Sequence, residues 1–380
     1  MAATKRSSHG ATHGAILLAA LALPGLAVAD NAPETGSISL KYLDYKDSQP
    51  NLDRIAVRSP SLDLLVPIAG VWSVHAGLVT DTISGASPRY HTAVSGASHF
   101  DERRNGADLG VTRYFARASV SLAAGRSGEN DYLSRYYALK GSVSSEDNNS
   151  TWLFGAGVAN DAINPVNLAV VDERKHSTDL MLGLTQVLTP RDLAQIVATH
   201  VSGSGYFSNP YKYIDNRPRQ HDQNTLLLRW NHHVGGSDTS NHLSYRYYSD
   251  SWQVHAHTLE EEVVQPLGAG WTLTPALRLY TQSAASFYVN PVYDKRFGPP
   301  FPPGYVFGSP TFISADQRLS GYGAATLGLK IEKQLGADTS FDLKVERYRQ
   351  RGSWRQFGAG SPGLQEFDAR SVQLGITRRW

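Results

Sequence analysis

From one end of the chain to the other, short runs alternate apolar and polar residues with a period of two, and that rhythm decides which folds are open to it. In the last run Val372, Leu374 and Ile376 alternate with Ser371, Gln373, Gly375 and Thr377, and Trp380 falls in phase with the apolar set. Phe341, Leu343 and Val345 alternate with Asp342, Lys344 and Glu346, and Leu327, Leu329 and Ile331 with Thr326, Gly328, Lys330 and Glu332. Earlier runs repeat the pattern: Leu180, Leu182 and Leu184 against Asp179, Gly183 and Thr185, then Leu226, Leu228 and Trp230 against Thr225, Arg229 and Asn231. Successive side chains of a strand point to opposite faces, so each run presents one face suited to lipid and one suited to water. Repeated along a chain with turn residues between, this is the pattern of a transmembrane β-barrel.

Strands are expected near 37–45, 53–66, 71–84, 106–116, 117–128, 131–145, 150–160, 176–187, 192–204, 222–235, 239–250, 252–266, 270–283, 315–333, 338–350 and 367–380. That makes about sixteen, an even number as a single-chain bacterial barrel requires, with 12 to 18 compatible. The fold class is therefore all-β, an antiparallel up-and-down barrel. Connections alternate in length. Thr189-Pro190-Arg191-Asp192, Gly235-Gly236-Ser237-Asp238 and Leu335-Gly336-Ala337-Asp338 are short, whereas 85–105, 159–175, 204–221, 284–314 and 351–366 are long. Short turns belong at the periplasmic rim and long loops outside. The brief connections near 126–131 and 248–252 break this alternation and leave room for a count different by two.

The first residues point to export. Lys5 and Arg6 precede an apolar stretch from Ala15 to Leu26, and Ala27-Val28-Ala29 before Asp30 matches a cleavage site, so 1–29 reads as a secretory leader and 30–380 as the barrel domain. No later segment holds the eighteen consecutive apolar residues of a spanning helix. Of 36 Lys+Arg and 34 Asp+Glu, Lys5 and Arg6 lie in the leader, so the remainder is formally neutral and nothing favours a nucleic-acid partner. The absence of cysteine excludes disulfides, thiolate metal sites and cysteine nucleophiles.

A soluble β-sandwich or propeller also alternates, but it hides its apolar face and uses shorter strands, and no propeller-length repeat is present. Tyr136, Tyr137, Tyr245, Tyr247, Tyr248, Tyr280 and Tyr288 sit toward segment ends, where interfacial girdles are expected. Val372, Leu374, Ile376 and the terminal Trp380 resemble the C-terminal signal by which outer-membrane barrels are recognised by the assembly machinery. Arg378 interrupts that apolar face and is expected to snorkel to the interface.

Four stretches carry a further resemblance: Ser84-Gly85-Ala86-Ser87-Pro88, Gly205-Tyr206-Phe207-Ser208-Asn209-Pro210-Tyr211-Lys212, Tyr245-Arg246-Tyr247-Tyr248-Ser249-Asp250-Ser251-Trp252, and Tyr280-Thr281-Gln282-Ser283-Ala284-Ala285-Ser286-Phe287-Tyr288. Together they resemble the bacterial family known as domain of unknown function 3570. The resemblance implies an outer-membrane barrel over most of the chain and a gene context shared with periplasmic thioredoxin-like and flavin-attaching proteins. It supplies no catalytic or binding residue. Physically, Gly205, Asn209 and Pro210 suit a bent external loop.

Chemistry-bearing motifs are sparse. There is no G-x-S-x-G elbow and no H-E-x-x-H helix. Gly358, Gly360 and Gly363 have the spacing of a nucleotide-binding loop, but Pro362 lies among them and no helix follows. His232, His233, His242, His255 and His257 fall on three consecutive strands, and His233, His242, His255 and His257 are expected on the inner face with Arg246 and Glu261. Their spread toward opposite rims argues for scattered imidazoles over a metal site, so neither metal nor cofactor is expected.

The inner wall is the surface most informative about function. Asp108, Asp179, Arg229, Arg246, Arg278, Gln282, Arg318, Lys330, Glu332, Asp342, Lys344 and Glu346 are expected to line it. A cylinder of this size leaves an aqueous channel unless something fills it. The loop 284–314, with its Phe297-Gly298-Pro299-Pro300-Phe301-Pro302-Pro303-Gly304 run, is long enough to constrict the lumen or cap it. Three readings stay open: a non-catalytic conduit for small solutes or metal species, a closed scaffold for a periplasmic or surface redox protein, and an outer-membrane hydrolase. The expected partners are outer-membrane lipid, the assembly machinery and periplasmic redox proteins.

Overall fold

A computed structural model describes residues 31–50, 52–86, 99–212, 214–290 and 311–380. The leader at 1–29 and the Phe297-to-Gly304 run lie outside the described residues. Sixteen long strands close one antiparallel barrel. In chain order they are β1 (Ser37–Gln49), β2 (Leu52–Ile68), β3 (Trp72–Ala86), β4 (His99–Tyr114), β5 (Ala118–Gly128), β6 (Tyr132–Ser144), β7 (Ser150–Ile163), β8 (Glu173–Thr189), β9 (Asp192–Gly205), β11 (Gln220–Val234), β12 (Thr239–Asp250), β13 (His255–Gly268), β14 (Trp271–Gln282), β16 (Tyr322–Gln334), β17 (Thr339–Arg351) and β18 (Phe367–Arg379). Two short strands in the loops, β10 (Asp215–Asn216) and β15 (Ile313–Ser314), pair with each other.

Each long strand pairs with its neighbour in sequence, and β1 closes the ring on β18 through Leu40 opposite Ile376 and Tyr42 opposite Leu374. One rim carries only short turns, such as 69–71, 190–191, 235–238 and 335–338, and the other carries 164–172, 206–219, 283–321 and 352–366. The brief connections at 129–131 and 251–254 belong to the long-loop rim, and the strand count stands at sixteen despite them.

The alternating pattern puts the apolar residues outside. Leu40, Leu78, Leu109, Leu122, Leu139, Leu180 and Leu327 are between 47% and 64% exposed, although each belongs to the apolar phase of its strand. A sandwich would bury that phase, so this wall is built to face hydrocarbon. Trp72, Trp152, Trp230, Trp271 and Trp380 are all at least 40% exposed and all lie near the short-turn rim, forming an aromatic girdle there. Arg113 lies over the Trp72 ring and Lys333 over the Trp271 ring, each 4.9 Å from the centroid, which lets both cations cover apolar surface.

Three expectations need correcting. The tyrosines do not all join a girdle. Tyr137, Tyr245 and Tyr247 face outward, whereas Tyr136, Tyr248 and Tyr280 share the phase of the inner wall, because adjacent residues of a strand cannot share a face. His255, His257 and Glu261 lie on the outer face, in phase with the exposed Leu259, and only His233 and His242 turn inward. The two outer imidazoles accept or donate to outward tyrosines instead: His257 Nδ1 is 2.7 Å from the Tyr245 hydroxyl and His255 Nδ1 is 3.0 Å from that of Tyr247.

The strand expected over 315–333 begins only at Tyr322. Ahead of it, Gln317–Leu319 forms a single 3-10 turn whose first amide-capping group is Asp316, accepting from Arg318 N at 3.0 Å. A local side-chain cap competes with the sheet ladder for backbone donors, and here it wins. Arg318 therefore lies in a turn at the barrel mouth and not on a strand of the wall.

Candidate functional site

The buried apolar clusters of the described residues lie at the long-loop rim. One contains Trp252, Val254, Ala285, Phe287 and Leu319, with Phe207, Tyr248 and Tyr288 against it; the other contains Ile214, Ile313 and Ala315. They are assembled from the 251–254 connection and from the described segments 206–212, 214–219, 283–290 and 311–321, of which β10 and β15 stitch two together. Ala315 N donates to Ile214 O at 3.0 Å, and Val289 N to Ser314 O at 2.9 Å. The Trp252 ring stacks on His221 at 3.7 Å and meets Phe207 and Phe287 edge-on at 5.6 and 5.3 Å. At Gly205 the chain leaves β9 with φ +119, and a side chain there would strike the Arg174 carbonyl, so only glycine lets the loop turn inward.

At the centre of this cap sits Asp316, fully buried. Arg217 donates to its Oδ2 at 2.7 Å, Arg318 Nε reaches Oδ1 at 3.0 Å, and Lys212 Nζ lies 3.5 Å away. Burial alone would push the Asp316 carboxyl up, but Arg318, Lys212 and Arg217 outweigh it and hold the group well below the usual carboxylate range. Burial pushes the Lys212 ammonium down, against the pull of Asp316. Asp215 accepts from Arg217 at 2.8 Å, which fixes that guanidinium between two carboxylates.

The cap is tied to the wall on several sides. Gln282 at the end of β14 donates to the Arg318 and Ser320 carbonyls at 2.9 and 2.7 Å. Arg54 of β2, buried and 4.8 Å over the Phe367 ring, is close enough to feel the charges of Asp316 and Arg318. On the opposite side the Tyr211 hydroxyl donates to Asp131 between β5 and β6 at 2.6 Å, and Asn167 donates to the Pro210 carbonyl at 2.9 Å.

Below the cap the inner wall has two characters. Over β11 to β18 it is crowded with charge. Arg278 donates to Glu260 at 2.7 Å, Lys330 to Glu332 at 2.7 Å, and Lys344 lies 2.9 Å from Glu346. Arg229 donates to Gln195 at 3.0 Å, and Arg246 and Asp342 share the same phase. Over β3 to β9 small residues dominate, among them Ser119 and Ser142, whose hydroxyls are 2.7 Å apart. Its charges stand mostly in separate pairs, Arg104 with Asp81 and Lys175 with Asp161 at 2.8 Å toward the outer rim, with Lys140 lower down. His75 lies between Asp63 at 2.6 Å and Asp108 at 3.2 Å, and Asp179 lies on β8. Asp108 and Asp179 each lean over a glycine of the next strand, Gly77 and Gly157, where a Cβ would collide with the carboxylate.

These positions bring Lys330, Glu332, Lys344, Glu346, Arg278 and Asp342 together on one wall and leave Asp108 and Asp179 on the other. Sequence reasoning missed Asp316, Arg217 and Lys212, which lie in loops where periodicity is silent, and missed Asp63 and His75 although their strands alternate. Hydrolase chemistry finds no support in the described contacts. His233 Nδ1 is 3.4 Å from Ser240 Oγ, too long for an activated nucleophile, and His221 is held by Asp250 at 2.9 Å but faces Trp252. Among the described residues no group of three His, Cys, Asp or Glu is arranged to hold a metal. A concavity of about 740 Å³ lies on the outside of the wall, among Leu139, Phe154, Leu180, Leu182 and Leu226, and therefore faces lipid.

The barrel thus has a closed wall with an apolar exterior and a polar interior, and loops gathered at one mouth. The family model described as protein of unknown function (DUF3570) matches residues 94–172 and 168–369. The chain belongs to this family. No curated protein matches it. Among solved structures, a bacterial polysaccharide outer membrane secretin is 8% identical with a TM-score of 0.52, covering 90% of this chain and 98% of its own. That likeness shows a shared outer-membrane barrel fold and nothing finer. CdiB from Acinetobacter baumannii is 8% identical with a TM-score of 0.49, covering 89% of this chain and 60% of its own. The CymD monoaromatic hydrocarbon channel is 8% identical with a TM-score of 0.46, covering 91% and 89%. Both are too distant to carry an argument. As an outer-membrane barrel, this member of the family turns its short-turn rim toward the periplasm and its long loops outward.

Proposed function

We propose that the barrel is a non-catalytic conduit for small polar solutes or metal species, closed at its outer mouth by the segments 206–212, 214–219, 283–290 and 311–321. The observation that carries this is the distribution of apolar packing. Both buried apolar clusters sit in the mouth, whereas the wall below is lined by half-exposed charges and small polar side chains. A lumen meant to stay shut along its length would be packed throughout, and among the described residues buried apolar packing is confined to one level. Water and solutes then meet a single barrier, whose centre is the Asp316 cluster.

The same cap favours a second reading, a closed scaffold, because a fully buried carboxylate held by Arg217, Arg318 and Lys212 is an expensive device to open. The family resemblance adds a periplasmic redox protein as the partner in either case. Export by the 1–29 leader and recognition of Val372, Leu374, Ile376 and Trp380 by the assembly machinery belong to this proposal. All four of those side chains lie on the outer face of β18 or at its end and are at least 43% exposed.

Planar-bilayer recording of the refolded protein separates the readings, with heat-modifiable gel mobility to show that the barrel has formed. The conduit predicts brief, infrequent openings in the wild type and sustained ones when the cap is weakened by Asp316→Ala. A folded barrel that stays silent in both forms would sink the conduit and leave the scaffold.

A further inference from the structure

The outer face holds a second feature that neither the lumen nor the cap uses. Near the outer rim, Lys46 of β1 lies directly opposite Arg370 of β18, and Arg370 lies directly opposite Arg347 of β17. All three point outward, in phase with Tyr42, Val372 and Val345, and all three are exposed. Directly opposed strand residues have their Cβ atoms about 4.5–5.5 Å apart, and like charges so placed destabilise the sheet. Among the described residues no carboxylate comes within ion-pair distance of Lys46, Arg347 or Arg370. Asp368, one step above, is taken by Arg351 at 2.8 Å, and Asp44, one step below, leans toward Arg58 at 3.9 Å.

The arrangement recurs across the barrel, where outward Arg126 of β5 directly opposes outward Arg135 of β6, also near the outer rim and both exposed. The inner rim treats its cations differently, laying Arg113 and Lys333 over tryptophan rings. Among the described outward-facing residues, opposed cations are thus confined to the end of the wall that meets the outer leaflet, whereas the opposed Lys330 and Lys344 face the lumen and each has a glutamate beside it. Beneath the triple row, Tyr42, Leu374, Leu343, Val372 and Val345 offer an apolar strip for acyl chains.

We propose that the row Lys46–Arg370–Arg347, flanked by Arg349 and Arg58, binds the phosphates of the phosphorylated glycolipid of the outer leaflet. A dianionic phosphate between adjacent guanidinium groups turns the repulsion into charge-assisted, bidentate hydrogen bonding, and the acyl chains lie along the apolar strip below. Arg126 and Arg135 form a smaller site of the same kind. The inference rests on the outer-membrane placement and is independent of whether the lumen conducts.

The test is native mass spectrometry of the full, folded chain in detergent, titrated with bis-phosphorylated lipid A, with the same lipid dephosphorylated, with phosphatidylglycerol, and with inorganic phosphate. The proposal expects retention of lipid A and a loss of about tenfold in its affinity for the double variant Arg347→Gln, Arg370→Gln, the size of one lost charged hydrogen bond or more. Heat-modifiable mobility of that variant confirms the fold. Equal binding of the dephosphorylated lipid, equal binding of phosphatidylglycerol, inorganic phosphate that displaces the lipid at matching concentration, or a folded double variant with unchanged affinity would each overturn it.

Discussion

Two regions of this barrel use acid–base pairs for opposite ends. In the mouth, Asp316 is fully buried among Arg217, Arg318 and Lys212, with aromatic side chains packed alongside. Along the wall beneath, Lys330 and Glu332 form a pair just as short, yet their side chains are 39% and 36% exposed. The difference teaches which pairs hold shape and which only decorate water. A buried pair depends on its partner, because removing one member strands an uncompensated charge in a dry place, at a cost of about 3–5 kcal/mol. An exposed pair is screened on both sides and contributes roughly 0–1 kcal/mol.

The sharpest way to break this comparison is Asp316→Ala. It takes the shared carboxylate from Lys212 and Arg318 and leaves Arg217 with Asp215 alone, so the cap should lose about 3–5 kcal/mol of local stability and the long openings in bilayers should become dominant. Acid should do the same to the wild type, but only late. A carboxyl held below its unfolded value contributes stability that is fully present above the unfolded pKa and is lost as pH falls through the folded one. The conductance should therefore be flat from neutral pH down to about pH 4, the ordinary carboxylate range, and rise only beneath it. Opening between pH 5 and 7 would mean that some other group holds the cap.

Trp252→Ala tests the apolar half of the same cap. Trp252 is 4% exposed and contacts His221, Phe207 and Phe287, so truncation should cost about 3 kcal/mol. Its signature should differ from that of Asp316→Ala, with more openings at every pH and no change in where acid acts. If Trp252→Ala leaves gating untouched, the cap is held by charge alone and the aromatic cluster is only filler.

Sequence alone carried the wall further than the mouth. Alternation fixes which residues share a face, so runs such as Leu327, Leu329 and Ile331 place both strand and orientation without any partner being known. Alternation fails where a side chain bonds its own backbone: Ile313, Ala315 and Leu319 keep the rhythm of a strand, but the Asp316 cap bends that stretch into a turn. It also fails where phase is counted across a turn. His255 and His257 reach the inner face only if the phase changes across Ser251–Val254, but even-numbered positions stay inward from Arg246 of β12 to Glu260 of β13, so both rings lie outside. The partners of inward charges were hidden for a third reason. Pairing such as Asp63 with His75, which lie two steps apart across neighbouring strands, depends on register, and register is set by the whole sheet.

Gly157→Ala probes the sparser wall. A methyl group there would meet Asp179 Oδ1 and push the carboxylate away from its resting place over the glycine. Overpacking of this kind costs about 1–3 kcal/mol, and the displaced charge should lower unitary conductance while leaving the gating of the cap unchanged. An unchanged conductance would place the solute path along the charged wall.

The smallest effect is expected from Lys330→Gln, and it is the other half of the comparison. The Lys330–Glu332 contact is 2.7 Å but more than a third exposed, so its loss should move thermal or denaturant stability by less than about 1 kcal/mol. What changes is the field in the lumen, since Glu332 is left without its counter-ion beside Lys344 and Glu346. Reversal potentials in asymmetric salt should shift toward cation selectivity, with the opening frequency unaltered. A large loss of stability from this one substitution would show that the wall pairs share the structural burden of the mouth, and the division between a latch of buried charge and a wetted, selective wall would have to be abandoned.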